Sequence, residues 1–351
     1  MIEVDGSRYS GSGTLVRQAV VFSALTGQPV HIRHARARRA KSGLRAQHVR
    51  VVEAIREIVN GAVEGVHVDS QELTFRPGTF STRQHFHWDI GSAGSSTNLA
   101  LAILPVLAFA PHETQVVLRG GLFQDFAPSF YHLQHVMLPL LTRLGLQGEI
   151  EMTRPGYVPR GEGIINLSVK PLTKGLSSIV LDRTRAVERV WGIALSSHLE
   201  QRKVSHRMAD AAKEVLEAAG YHATIDIIND TSAQQRGAGL AIFADRGGGV
   251  RIGADQAGAL GRPAEAIGQY VARQLLEDLE TDATVDRHAV DQLIPFAALA
   301  NGDSRFRIPT ETEHVSSNAW LVELFLRVQV KIEHHVMVIS GIGLQAPCNP
   351  Q

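Results

Sequence analysis

Residues 84–118 read QHFHWDIGSAGSSTNLALAILPVLAFAPHETQVVL, a strand, a helix and a second strand in one short run. Gln84–Ile90 alternates polar with apolar side chains, the two-residue period of a strand. A Gly/Ser-rich turn then enters Ser95–Phe109, an apolar run that predicts a helix, and Gln115–Leu118 is a short Val-rich strand. Downstream, Pro128–Leu144 is predicted as a helix, and Gly148–Thr153 with Gly163–Val169 as a strand pair. Upstream the same order occurs once before: strand Ile2–Asp5, helix Gly13–Ala24, strand Pro29–His34, helix Gly43–Asn60, then Val63–Val68 paired with Glu72–Arg76. The pattern recurs at about 85 residues, as an internal repeat.

A third unit opens at Ser177–Leu181. It resumes with helix Pro263–Leu279, helix Ala289–Ala300, strand Ser304–Ile308, helix Asn318–Leu326 and strands Val328–His334 and Val336–Ser340. The expected class is α/β of the α+β sandwich type: three repeats of strand–helix–strand–helix–strand–strand, with helices packed on sheets. The interruption has its own pattern, strand Val190–Ser197, helix Val204–Ala219, and strands Ala223–Ile228 and Gly239–Ala244, which reads as a small inserted α/β domain. The expected division is a repeat-built domain of residues 1–183 and 250–345, an insert of 184–249 and a tail of 346–351. The exit Arg246-Gly247-Gly248-Gly249 reads either as a hairpin or as a linker.

Thirty-five Lys and Arg balance thirty-five Asp and Glu, and 44% hydrophobic residues are ample for a core, so disordered and fibrous classes are excluded. The single cysteine, Cys348, excludes a disulfide scaffold and any cysteine-built zinc or iron–sulfur site. The longest apolar stretch, Leu99–Ala110, contains Pro105 and is too short to span a bilayer. Met1–Asp5 runs into a strand without a basic leader. A cytoplasmic protein with no membrane partner is expected. Arginine outnumbers lysine 29 to 6, a bias toward the planar fork that grips phosphate at two points. The segment His31–Arg50 (HIRHARARRAKSGLRAQHVR) holds seven Arg/Lys, three His and no acid. It is either a solvated face or a phosphate-binding patch in an otherwise neutral protein.

Gly11-Ser12-Gly13 precedes a helix whose first turns hold Arg17 and Gln18, and Gly91–Thr97 stands at the equivalent point of the second unit. Exposed amides at a helix start attract anions, and an arginine one turn in can close on a phosphate. No Gly-Lys-Ser/Thr, GxGxxG after a strand, GxSxG or HExxH occurs, so any nucleotide is held in an unusual way. His85 and His87 alternate on one strand; without a nameable third ligand they read as a polar strand face. His334-His335 reads as surface. His314 differs: it lies in Thr310–Asn318, a loop leading into the final helix, with no apolar context to pack it.

Five stretches together resemble the RNA 3'-terminal phosphate cyclase family, in order and through nearly the whole chain. They are Asp5-Gly6 with the first glycine-rich entry and Arg17; Arg36–Leu44 with Gln47-His48; Gly91–Ser95; Arg154-Pro155-Gly156-Tyr157-Val158-Pro159-Arg160-Gly161-Glu162-Gly163; and Asp291-Gln292-Leu293 with Glu313-His314 and Asn318. The resemblance implies ATP-dependent conversion of an RNA 3'-phosphate to a 2',3'-cyclic phosphate. His314 falls on the position that attacks the ATP α-phosphorus and becomes a covalent histidine–AMP. Arg17 and Arg39 match positions that face the triphosphate, and Gln47 a nucleotide-contacting glutamine. Asp291 matches an acid beside the nucleophile, and His288 stands where an aromatic residue stacks on adenine. Gly11, Gly13 and Gly94 would supply loop amides, and Arg36, Arg38 and Lys41 would hold RNA phosphate.

The family pattern is not followed everywhere. Ser10 stands where a metal-proximal glutamate is usual, Thr14 where a glutamine is, Pro155 for His and Glu162 for Gly, which leaves the metal ligands unknown. ATP and a divalent metal, Mg²⁺ by preference, are the expected cofactors, and RNA 3'-phosphate ends the expected partner; a homodimer is allowed. A non-catalytic, cyclase-like RNA-binding or ribosome-biogenesis factor is the alternative: Ser10 and Thr14 lean toward it, and His314 against it.

Overall fold

The structure is a computed structural model and describes residues 1–346; Cys348, with residues 347–351 of the expected tail, lies outside the described residues. The first unit is β1 (Ile2–Asp5), α1 (Gly13–Thr26), β2 (Val30–Arg33), α2 (Ala46–Ile58), β3 (Ala62–Glu64) and β4 (Leu73–Arg76). The second is β5 (His85–Asp89), α3 (Ser96–Ala108), β6 (Thr114–Gly120), a broken helix, β7 (Gln147–Arg154) and β8 (Gly163–Lys170). The broken helix comprises α4 (Phe130–His132) and α5 (Leu138–Arg143) around a π-helical turn, Leu133–Met137.

The third unit opens with β9 (Val180–Leu181). The chain then leaves for the insert: β10 (Val187–Ser197), α6 (Val204–Ala218), β11 (Ala223–Asp230), β12 (Gly237–Arg246), β13 (Val250–Ala257) and α7 (Ala264–Glu280). It returns with α8 (Val290–Leu299), β14 (Asn301–Arg307), α9 (Glu313–Leu326), β15 (Val330–Glu333) and β16 (Val336–Ile342).

The three sheets of the body run β1-β2-β4-β3, β5-β6-β8-β7 and β9-β14-β16-β15. In each, the first pair is parallel and the other two antiparallel. Each sheet thus needs a helical crossover between its first two strands, and α1, α3 and α8 fill that role. These helices are apolar nearly all round, so they are buried along their length rather than on one stripe. Helix α1 packs on α2, α3 and α9, and α8 packs on α9, which puts helices inside and sheets outside. Local chemistry sets the ends. Ser12 and Ser95 accept N–H bonds from the first turns of α1 and α3. Gly27, at φ 71°, closes α1 in the left-handed conformation.

The insert is larger than the sequence reading made it. Val250–Ala257 pairs antiparallel along Gly239–Arg246, so Gly247-Gly248-Gly249 is a hairpin turn with the last two glycines at φ 79° and 73°. The predicted helix Pro263–Leu279 belongs to the insert as well: α7 packs on α6 and covers the sheet β11-β10-β12-β13. The reason is burial. Val190, Ala194, Ile242 and Ile252 on the sheet need both helices, and Met208, Leu216, Ile267, Val271 and Leu275 supply the cover. The boundary expected at 249 therefore falls after Glu280, and the helix crossing the third unit is α8 alone.

A buried ion pair of the body lies where the insert meets it. His132 Nε2 lies 3.1 Å from both Asp286 oxygens, and neither residue is exposed. Asp286 also accepts N–H bonds from Gly253 of β13 and from His288 and Ala289 ahead of α8. Burial opposes charge on both groups. Asp286 nevertheless holds His132 above its ordinary value, and His132, with His288 and the Gly253 N–H, holds Asp286 below its own.

Candidate functional site

Five helices, α1, α2, α3, α8 and α9, begin at the wall of one cavity of about 800 Å³. Their N-terminal turns contribute Ser12, Gly13, Thr14 and Arg17, Gln47 and His48, Asn98, Asp291 and Gln292, and Thr312 and His314. Each helix start carries unsatisfied N–H groups and about half a positive charge, so their convergence makes an anion site before any side chain is counted. The rest of the wall includes Arg36, Arg39, Arg287 and His288, the loop Gln124–Pro128 and, from the insert, Asp255, Gln256, Arg262 and Tyr270.

His314 is not in a loop. Thr312 caps α9 by accepting the Val315 N–H, so the helix starts at Glu313, five residues before the expected Asn318. Its ring is half-buried, with Nδ1 3.1 Å from Thr14 Oγ1 and Nε2 3.5 Å from Arg39 Nη2. A guanidinium only donates, so Nε2 must carry the lone pair and Nδ1 the proton, which goes to the Thr14 hydroxyl. Burial, then the charges of Arg17 and Arg39, lower the ring to about 4. Below pH 6.5 the unfolded chain takes up a proton that the folded ring refuses until about 4, so this group withdraws stability over that interval. An NMR titration should find the His314 ring neutral down to about pH 5, and Arg39→Gln should move its midpoint upward because a repelling cation is gone.

Arg17 is buried in α1, and burial pulls it down to about 10. Burial raises Asp291 to about 6, against the pull of Arg17. No carboxylate pairs with Arg17 or Arg39 among the described residues, whereas Arg262 and Arg287 are already held by Asp125 and Asp278. An unpaired buried cation costs several kcal/mol of lost hydration, which an incoming phosphate oxygen would offset.

The other sequence candidates separate. Arg36 and His288 line the cavity, but Arg36 spends one nitrogen on the carbonyls of Lys41 and Gly43. Arg38 lies outside the lining, bonded to the Tyr9 carbonyl and paired with Glu313 at 3.0 Å. Lys41 is exposed and also outside it. Of the three glycines only Gly13 reaches the wall. The Gly11 amide bonds the Arg8 carbonyl, and the Gly94 amide bonds Ser92 Oγ. Gly13 has a packing reason: a Cβ there would run into His48 Nε2, and His48 is fixed by the Arg45 N–H on its other nitrogen. Gln47 Oε1 accepts the Ser95 N–H at 2.8 Å, joining the start of α2 to the second glycine-rich entry.

Ser10 is buried in a chain of hydroxyls, 2.7 Å from Ser317 Oγ and 3.0 Å from Ser12 Oγ, and Ser317 donates to the Glu313 carbonyl. It docks α9 on the first entry and is turned away from metal chemistry. Among the described residues no group of three or more His, Cys, Asp and Glu can hold a metal, His85 and His87 included; both lie exposed on β5. A site built from three or more protein ligands is thus not present among the described residues. Glu162, in a position where glycine is usual, sits at φ 62° and is held by Arg119. The insert residues, Ser317 and the His132–Asp286 pair carried no sequence signal, since each depends on a distant segment folding against it.

The sequence profile described as RNA 3'-terminal phosphate cyclase matches residues 8–332. A protein of that name from Archaeoglobus fulgidus is 35% identical over 342 residues, covering 97% of this chain and all of its own. One from Methanopyrus kandleri is 37% identical over 339 residues, covering 95% of each. Among solved structures, the enolpyruvyl transferase NikO from Streptomyces tendae aligns with 97% of this chain and 48% of its own, at 11% identity and a TM-score of 0.41, too slight a likeness to bear on function. No helix among the described residues is long and apolar enough to cross a membrane.

Proposed function

Because the chain belongs to the RNA 3'-terminal phosphate cyclase family, a family of enzymes, we propose that it activates RNA 3'-phosphate ends through AMP carried on His314. The Nε2 lone pair attacks the α-phosphorus of ATP and pyrophosphate leaves. An oxygen of the RNA 3'-phosphate then attacks the same phosphorus, freeing the ring and leaving the RNA end linked to AMP. Finally the neighbouring 2'-hydroxyl attacks the terminal RNA phosphorus, AMP departs and the 2',3'-cyclic phosphate remains.

The observation that carries this reading is the environment of one ring: Thr14 on Nδ1, Arg39 at Nε2, and Arg17 buried behind. A phosphate monoester is a poor electrophile, and a covalent carrier replaces one hard displacement with easier ones. Once adenylylated, His314 is a cationic imidazole beside two arginines. That repulsion makes the adduct ready to pass AMP on, while the same arginines stabilise charge on the phosphoryl oxygens. Gly13 and Gln47 suit the nucleotide, and His288 with Pro128 lies toward the insert, where an adenine ring would fit. Mg²⁺ commonly binds through substrate phosphates and water, so it belongs to the nucleotide in this reading, and no step passes through it.

The test is intact mass after incubation with ATP and Mg²⁺, followed by RNA bearing a 3'-phosphate. One adenylyl group should appear and then discharge as cyclic ends form. RNA binding with no added mass and no turnover would favour a non-catalytic RNA-binding factor instead.

A further inference from the structure

Outside the cavity, against the same helix as His314, lies a cluster that the proposed reaction does not use. Tyr9 is exposed (41%), and its ring centroid lies 5.8 Å from that of half-exposed Trp320. The Arg8 guanidinium sits 5.3 Å from the Trp320 centroid, and no carboxylate pairs with Arg8 among the described residues. Tyr9 has φ 46°, the left-handed region that a bulky side chain rarely adopts. Strain of that kind is kept where surrounding structure enforces it, and it gathers at functional sites. Here the enforcement is visible: Arg38 holds the Tyr9 carbonyl, and Ser10, the next residue, is tied to Ser317. The ring is left partly open to solvent at a position where glycine would suit the backbone better.

We propose that Tyr9 and Trp320, flanked by Arg8, form a stacking platform for the last bases of the RNA whose 3'-phosphate reaches His314. This rests on the RNA-end reading above. Trp320 follows His314 by six residues on α9, roughly 9 Å along the axis. With adenine toward the insert, the RNA end approaches from the opposite lip, where Arg39 stands exposed beside the nucleophile. Single strands are gripped by just this combination of aromatic faces for bases and unpaired arginine for the backbone, without preference for sequence.

The full chain is assayed with a six-nucleotide RNA carrying a 3'-phosphate. Tyr9→Gly suits the backbone and removes the ring; it should raise the KM for this RNA about tenfold, within the range for one lost base–aromatic stack. Trp320→Ala should do the same, and Tyr9→Phe should restore the wild-type KM. Labelling of His314 by ATP alone should persist in Tyr9→Gly, and an oligomer abasic upstream of its end should show no difference between wild type and Tyr9→Gly. An unchanged KM in Tyr9→Gly with labelling intact overturns the platform. If the wild type takes no label, the reaction fails separately and tryptophan fluorescence judges the platform. Quenching by the same oligomer that is lost in Trp320→Phe supports it, and no quenching overturns it.

Discussion

His314→Ala should abolish protein-linked AMP and lower RNA cyclisation by at least about a thousandfold, since loss of a covalent nucleophile is not made good by neighbouring groups. The local chemistry leaves no substitute. His48 faces the cavity wall from α2, but its Nδ1 is committed to the Arg45 N–H and burial with three nearby arginines pushes it well below its ordinary value. His288 sits toward the insert, against His132. Neither presents a free nitrogen between Arg17 and Arg39. Intact mass and denaturing gels with labelled ATP read the outcome directly; equal labelling of wild type and His314→Ala would sink the assignment. Alanine here removes a half-buried ring from the first turn of α9 and leaves the Thr312 cap untouched, so the fold should survive and a null result can be trusted.

The largest effect on stability is expected at Asp286. Asp286→Ala leaves His132 buried without its ion-pair partner and strands the N–H groups of Gly253 and His288, while that of Ala289 keeps the backbone carbonyl of residue 286. Removing one partner of a buried pair typically costs about 3–5 kcal/mol. His132→Leu should cost less, because Asp286 keeps its three backbone donors. Combining His132→Leu with Asp286→Ala should not restore stability, since those donors would remain orphaned. The pH dependence has a definite sign. The contribution of His132, whose value is raised, is complete below 6.5 and is lost as pH climbs through the raised value; that of Asp286, whose value is lowered, is complete above 3.8 and fades as pH falls through the lowered one. The wild-type advantage over Asp286→Ala in urea unfolding should therefore be greatest between about 4 and 6.5, and equal midpoints across that window would contradict it. Loosening Asp286 also frees the turn that presents His288, so the KM for ATP should rise as well.

Where sequence alone succeeded, a local rule was strong. Serine caps, apolar runs and Val-rich strands marked the helices and strands, because helix entry and strand alternation are set by near neighbours. It failed where tertiary partners decide. The glycines at 247–249 look alike in a hairpin and a linker until Val250–Ala257 is seen pairing with β12. The start of α9 was hidden because Thr312 becomes a cap only once Val315 turns toward it. Arg36, Arg38 and Arg39 are equally basic on paper; one braces carbonyls, one pairs with Glu313, and only Arg39 meets the His314 ring. Ser10 read as a missing metal ligand because its partner, Ser317, lies 307 positions away.

That last separation has a consequence for how the chain comes into being. Thr14 precedes the imidazole it flanks by 300 positions, and Ser10 precedes the serine it ties down on α9 by 307. Closing contacts of such span is slow and comes late, and until then the early segments hold only fragments of the chamber. The surroundings of His314 are thus completed only when α9 seats against α1, in one late step rather than segment by segment.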